Sequence, residues 1–154
     1  MVIQETVVFR CSPETLWQHI EDPEKQKLWM KGLVSNETTT PGTREAGSRF
    51  RMVIREGRKD AVYDGEVLVR DRPHRLEVRL TGGNFSKNMA MRVDYRLTDL
   101  HTETRLDYTA TLECEKPGFF LRLMLKMASV FGRMQLRSFF KTLRTLVESA
   151  HQAA

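Results

Sequence analysis

From residue 31 to 114 the sequence reads with a period of two, and five stretches between Ser48 and Cys114 keep their apolar side chains on one side. In "SRFRMVIRE", Phe50, Met52 and Ile54 oppose Arg49, Arg51 and Arg55. In "VYDGEVLVR", Tyr63, Val67 and Val69 oppose Asp64, Glu66 and Arg70. "RLEVRL", "NMAMRVDYRL" and "TRLDYTATLEC" follow the same rule, setting Leu76, Met89, Met91, Val93, Tyr95, Leu106 and Tyr108 against charged neighbours. One apolar and one charged face per strand is the pattern of an antiparallel sheet wetted on a single side. Pro41-Gly42, Gly57, Arg72-Pro73, Gly82-Gly83 and the polar "TDLHTE" supply turn chemistry at the boundaries. Acidic and basic residues on the outer faces then pair across neighbouring strands as solvated ladders.

Before the sheet, "VIQETVVFR" reads as a first strand with Ile3, Val7 and Phe9 on one side. Ser12 is an N-cap and Pro13 the first residue of a helix that runs to about Glu21. Asp22-Pro23 breaks it, because proline disfavours helical backbone in the residue before it, and a second short helix runs from Pro23 to about Trp29. Both tryptophans lie in this pair. Trp17 reads as the anchor packing the first helix, and Trp29 as the ring nearer the open end of the sheet.

After Pro117-Gly118, residues from Phe119 to about Ala150 lack proline and strand-like alternation and read as one long helix with a single internal glycine, Gly132. At about 100° per residue, Arg122, Lys126, Arg133, Arg137, Lys141 and Arg144 fall in one stripe. Opposite the stripe lie Phe120, Met124, Met127, Phe131, Gln135, Phe139, Leu143 and Leu146, the face expected against the sheet. Six cations against Glu148 give this helix +5, the net charge of the whole chain. Its first half is apolar nearly all round. Either the short helices and loops cover it, or it meets a partner, a second copy or an anionic membrane surface.

The 154 residues predict one domain, 1–154, with a single core. No window is long and apolar enough for a membrane-spanning helix. The start, "MVIQETVVF", has no basic and apolar leader, so a cytoplasmic protein is expected. Cys11 and Cys114 read as small buried hydrophobes, without neighbours at metal-ligand spacing. Nucleic acid is not expected, because no exposed aromatics interleave the basic stripe.

No phosphate loop, His-Glu-x-x-His or serine-nucleophile motif is present, so no catalytic residue, metal ligand or cofactor is assigned. His19, His74, His101 and His151 read as solvated. The inward polar groups are Tyr63, Tyr95, Tyr108, Gln135 and Ser138, with Glu56 if alternation persists to its strand end. The tyrosines are either sheet core or the polar lining of a cavity. Met52, Met89, Met91, Met124, Met127 and Met134 are expected at the sheet-helix interface, where thioethers either fill an irregular core or line an adaptable pocket.

"CSPETLWQHIEDPEKQKLW", the glycine before a strand at Gly47, "YDGEV", Arg72-Pro73, "YRLTD", "TETRLDY" and a Pro-Gly before a long helix resemble the START-like, or Bet v 1-like, superfamily, which includes polyketide cyclase/dehydrase and lipid-transfer proteins. The resemblance spans nearly the whole chain and implies an α+β helix-grip fold: a seven-stranded curved antiparallel sheet around the long C-terminal helix, with an apolar cavity between them. By that strand order Cys11 and Cys114 sit at opposite ends of a strand pair, too far apart for a disulfide. The expected wall is Trp17, Trp29, Phe50, Met52, Tyr63, Val67, Met89, Met91, Tyr95, Tyr108, Phe120, Met124, Met127, Phe131 and Gln135. The expected function is non-covalent binding, and with it transport, of a lipid, polyketide, quinone or similar hydrophobic molecule by a monomer or homodimer. The alternatives are a polyketide cyclase or dehydratase using a tyrosine or Glu56 as acid or base, and an interaction module built on the last helix for a protein partner or a peripheral membrane contact.

Overall fold

The computed structural model describes all residues except Lys116, Pro117 and Ala154, together with the side chains of all but Phe120 and residues 150–153 of the rest. The chain runs β1 (Val2–Phe9), α1 (Pro13–Glu21), α2 (Pro23–Trp29), β2 (Leu33–Thr38), β3 (Arg49–Glu56), β4 (Lys59–Asp71), β5 (Arg75–Gly82), β6 (Met89–Asp99), β7 (Thr104–Cys114) and α3 (Phe119–Ala153). The seven strands form one antiparallel sheet in the order β1-β7-β6-β5-β4-β3-β2, so β1 and β2 are its edges. The period of two expected from residue 31 onward does not hold in β2. Only Leu33 and Asn36 are buried in it, and a register shift falls between Leu33 and Ser35.

The two short helices are set by local chemistry. Ser12 Oγ accepts from the backbone N–H of Thr15 at 3.2 Å, and Asp22 both closes α1 and caps α2, accepting from the N–H of Glu24 at 3.0 Å. Two buried donors reach back from α2: Trp29 Nε1 to the carbonyl of His19 at 2.8 Å and Gln26 Nε2 to that of Ile20 at 2.6 Å. These bonds fold the second helix against the end of the first. His19, read from sequence as solvated, is buried, its Nδ1 2.9 Å from the carbonyl of Thr15.

The outer face of the sheet carries the expected ladder. Glu77 lies between Arg75 at 2.7 Å and Arg92 at 2.9 Å, and Arg75 also meets Asp94 at 3.2 Å. On the inner face Phe9, Trp17, Leu16, Leu106, Leu143 and Val147 are fully or almost fully buried and centre the core.

α3 packs with a different phase from the one its charge pattern predicts. Leu136, Phe140, Leu143 and Val147 face the core, whereas Met124, Met127 and Phe131, expected against the sheet, are 66%, 59% and 68% exposed. Met134 is exposed as well, and the side chain of Phe120 lies outside the described residues. The cause is the basic stripe. Arg137 meets Glu5 at 3.0 Å, and Arg144 donates to the carbonyl of Val8 at 3.0 Å with its guanidinium 5.9 Å from the Phe9 ring centroid. Long cationic stems thus run along the edge strand beside the packed face, so the stripe marks the flank of that face and not its opposite side. Gly132 lets the helix cross β1 closely, since a Cβ there would stand 3.0 Å from Ile3 Cδ1.

Candidate functional site

Alternation on β3 to β7 points Phe50, Met52, Val67, Met91, Tyr95 and Tyr108 into the concave side. Together with Ile20 of α1 and Met30, which follows α2, they border a cavity of about 140 Å³. A second space of about 200 Å³ lies beneath α3, bordered by Ile3, Trp29, Leu136 and Phe139. Met30, Met91, Tyr95 and Tyr108 wall both spaces, so the two adjoin across these residues. Met30, Gln135 and Phe139 then carry the wall into an open groove of about 410 Å³ beside Arg55, Glu56 and Gly57. A wider groove of about 790 Å³ adds Lys27, Leu28, Ser138 and Thr142 to the rim, with Trp29 at its base. The route from solvent to the sheet therefore passes Trp29, Gln135, Phe139 and Met30.

Polar groups stand at two places along an otherwise apolar wall. Tyr95 and Tyr108 are cross-strand neighbours with ring centroids 5.2 Å apart at 77°, and Tyr108 also meets Phe140 edge-on at 5.5 Å. Neither hydroxyl has a hydrogen-bond partner among the described residues. Burial holds both phenols well above their ordinary pKa, so they remain neutral donors. At the other end Asn36 Nδ2 donates to Gln26 Oε1 at 2.8 Å, and Arg44 reaches Asn36 Oδ1 at 3.4 Å and Thr38 Oγ1 at 3.0 Å. The Arg44 guanidinium lies 5.2 Å from the Phe50 ring centroid, and burial lowers its pKa. This arrangement can desolvate an apolar body and offer hydrogen bonds at two points. Among the described residues it places no group of three or more His, Cys, Asp or Glu that could hold a metal ion.

Of the residues the sequence pointed to, Phe50, Met52, Val67, Met91, Tyr95, Tyr108, Trp29 and Gln135 border these connected spaces. Others do not. Trp17 is fully buried in the core, with the Arg70 guanidinium 5.9 Å from its ring centroid, and borders not the inner cavity but an adjoining cleft of about 400 Å³ with Glu21, Arg44 and Arg72. Tyr63 packs its ring on Phe85 at 5.4 Å and donates to Glu56 at 2.9 Å; burial first, and then this bond, pushes its pKa up to about 12. Met89 accepts from Ser86 Oγ at 3.7 Å near the strand start, and Met124, Met127 and Phe131 face outward. Glu56 is exposed at the groove and bonded to Tyr63 and Asn84. Sequence reasoning missed Gln26, Met30, Asn36 and Arg44. Met30 directly follows Trp29 and was open to inference, whereas nothing marks Arg44 among the many arginines.

The sequence matches the family described as polyketide cyclase / dehydrase and lipid transport over residues 1–148. No curated protein matches it. Among solved structures it is similar to TTHA0849 from Thermus thermophilus, with TM-score 0.73 and 22% identity, over 97% of this chain and 99% of that one. A START superfamily protein from Mycobacterium smegmatis has TM-score 0.72 and 17% identity, over 97% and 98% of the two chains. The di-domain ARO/CYC StfQ from the steffimycin biosynthetic pathway has TM-score 0.72 and 11% identity, over 97% of this chain and 46% of that one. At such identities the likeness speaks for the fold. The fold is START-like, and with the family match over residues 1–148 the chain belongs to the polyketide cyclase / dehydrase and lipid transport family.

Proposed function

We propose that this protein binds a small hydrophobic molecule in the connected spaces between sheet and α3, and carries it without covalent change. The observation that supports this most is the continuity of the wall. Met30, Met91, Tyr95 and Tyr108 are shared by the two inner spaces, and Trp29, Gln135 and Phe139 extend that wall to the mouth. A ligand enters by exchanging water for apolar contact, and thioethers let the wall adapt to its shape. The unpartnered hydroxyls of Tyr95 and Tyr108 favour a ligand with an acceptor oxygen, as in a polyketide or quinone, over a plain hydrocarbon.

The test is titration with N-phenylnaphthylamine, whose emission rises in apolar surroundings. Met91→Trp fills the junction of the two inner spaces and should abolish uptake, while Phe131→Trp, on the outward arc of α3, should leave it unchanged. Equal uptake by Met91→Trp would count against the cavity. Native mass spectrometry of protein purified from its own host should then reveal the bound molecule.

A second reading, cyclase or dehydratase activity, is favoured by the same two phenols and by the similarity to the ARO/CYC protein StfQ. Neutral phenols held inside an apolar wall can donate to a carbonyl oxygen as its carbon reacts. Under that reading Tyr95→Phe and Tyr108→Phe stop turnover of a linear polyketide while leaving its binding within a few fold. Unchanged turnover in both variants would remove it.

A further inference from the structure

The outward arc of α3 is unaccounted for by the cavity. Leu123, Met124, Met127, Val130, Phe131 and Met134 are each at least half exposed, and at about 100° per residue they occupy one arc opposite the packed line of Leu136, Phe140, Leu143 and Val147. Isolated exposed apolar residues are ordinary, but six large ones within about three turns form a patch. Arg122, Lys126 and Arg133 flank it, and none of the three has an ion-pair partner among the described residues. No acidic residue occurs between Phe119 and Val147.

We propose that this arc docks on an anionic lipid surface, the apolar side chains entering the acyl boundary and the flanking cations meeting the headgroups. Charge complementarity selects this occupant. A second copy would bring the same three unpaired cations and no acid from its own arc, whereas phosphatidylserine supplies the missing negative charge. The geometry adds a consequence. Met124 and Phe131 lie on the same line along the helix as Gln135, Ser138 and Thr142, which form the rim of the wide groove. Exposed Leu28 and the side chains of Lys27 and Lys31 stand across that groove. Docking through the arc therefore turns the mouth toward the bilayer, so an apolar ligand passes between membrane and cavity with little exposure to water. That consequence rests on the binding function proposed above; the docking does not.

The experiment is cosedimentation of the full chain with vesicles of phosphatidylcholine alone and of equimolar phosphatidylcholine and phosphatidylserine. The expected result is binding to the anionic vesicles that weakens as salt is raised. Charge reversal in Arg122→Glu/Lys126→Glu/Arg133→Glu should lower the partition coefficient by more than about a hundredfold, at roughly 1 kcal/mol per cation near the surface. Met127→Glu/Phe131→Glu should abolish binding with the cations intact. All these positions are exposed, and an unchanged thermal midpoint and N-phenylnaphthylamine titration will show that fold and cavity survive. Equal partitioning to both vesicle types, or of both variants with the parent, overturns the proposal. So does a dimer in solution that Met127→Glu/Phe131→Glu converts to monomer, since the arc then belongs to a second copy. Loss of probe uptake by the parent chain, with anionic binding retained, would count against the cavity and not the docking.

Discussion

Gly65, in the middle of β4, offers a test in which the sign of the effect carries the argument. A strand interior ordinarily gains when glycine becomes alanine, by about 0.4–1 kcal/mol, because the unfolded chain loses freedom. Gly65 has ordinary extended backbone, so alanine meets no conformational obstacle there. Its cross-strand partner is Phe50, and a Cβ at position 65 would stand 2.2 to 2.6 Å from three atoms at the tip of that ring. The ring is 4% exposed and has the Arg44 guanidinium 5.2 Å from its centroid, so it cannot swing aside without disturbing packed neighbours. Overpacking of this kind costs about 1–3 kcal/mol. Net of the glycine gain, Gly65→Ala should destabilise by about 1–2 kcal/mol and lower the melting temperature by about 2–8 °C in a chain of this size. Phe50 also walls the inner cavity, so uptake of N-phenylnaphthylamine should weaken in parallel. Thermal melts of Gly65→Ala, Phe50→Leu and the double variant form the cycle, and the double variant should be more stable than the two single losses predict by about 0.5–3 kcal/mol. A Gly65→Ala protein as stable as the parent, or a strictly additive double variant, would refute the claim that this glycine exists to admit the ring.

Burial sets two more expected outcomes. The chain has three tyrosines, and all three phenols are shifted upward, Tyr95 and Tyr108 by burial and Tyr63 to about 12 by burial and then by Glu56. A folded pKa above the unfolded one means the unfolded chain loses its phenolic protons first, so stability is intact below about pH 10 and falls as pH rises beyond it. Phenolate absorbance should therefore appear together with loss of the folded far-ultraviolet signal, and a tyrosine titrating near 10 in the folded protein would contradict the buried placement. The thiol of Cys11 is buried and pushed up to about 11, by burial first and then by Glu148, while Cys114 is only partly covered. A thiol reagent at neutral pH should label Cys114 alone in the native protein and both thiols after denaturation, as read by peptide mass mapping.

Where each element's signal was local, the sequence was legible. Ser12, Pro13, Asp22 and Pro23 define two helices by capping chemistry that acts over a few residues, and both helices form at the expected bounds. Alternation held for the inward residues of β3, β5, β6 and β7 and for β4 as far as Val67, because a strand's period is geometric. Beyond it a register shift sets Val69 opposite outer-face Glu77 and turns Arg70, expected outward, to the helix side, where it meets Glu21 at 2.6 Å. β2 escaped because its register shift breaks that period. Tyr63 has the right parity for the cavity, but Phe85, arriving from the β5–β6 turn, stands against its ring, and no pattern within β4 encodes that neighbour. Arg44 and Asn36 likewise come together only through a loop whose path depends on long-range contacts.

The helix α3 shows which signal was available and unused. A charge stripe defines one side of a helix but leaves open whether the core lies opposite it or beside it, and here the arginine stems chose the latter. Lengths carry more. At about 1.5 Å per residue a helix of 35 residues extends about 52 Å, while the eight residues of β1 extend about 26 Å at roughly 3.3 Å each. The contacts rise in step along both elements, from Gly132 beside Ile3, through Arg137 at Glu5, to Arg144 at Val8. Extending that register backwards, the residues before Gly132 run past the start of β1 and leave about 20 Å of helix beyond the edge strand. An overhang in a chain that folded only for its own core would be polar. This one is rich in methionine, leucine and phenylalanine on its outer arc and lacks acid throughout, so its composition answers to a surface outside the fold, and charge selects a negative one.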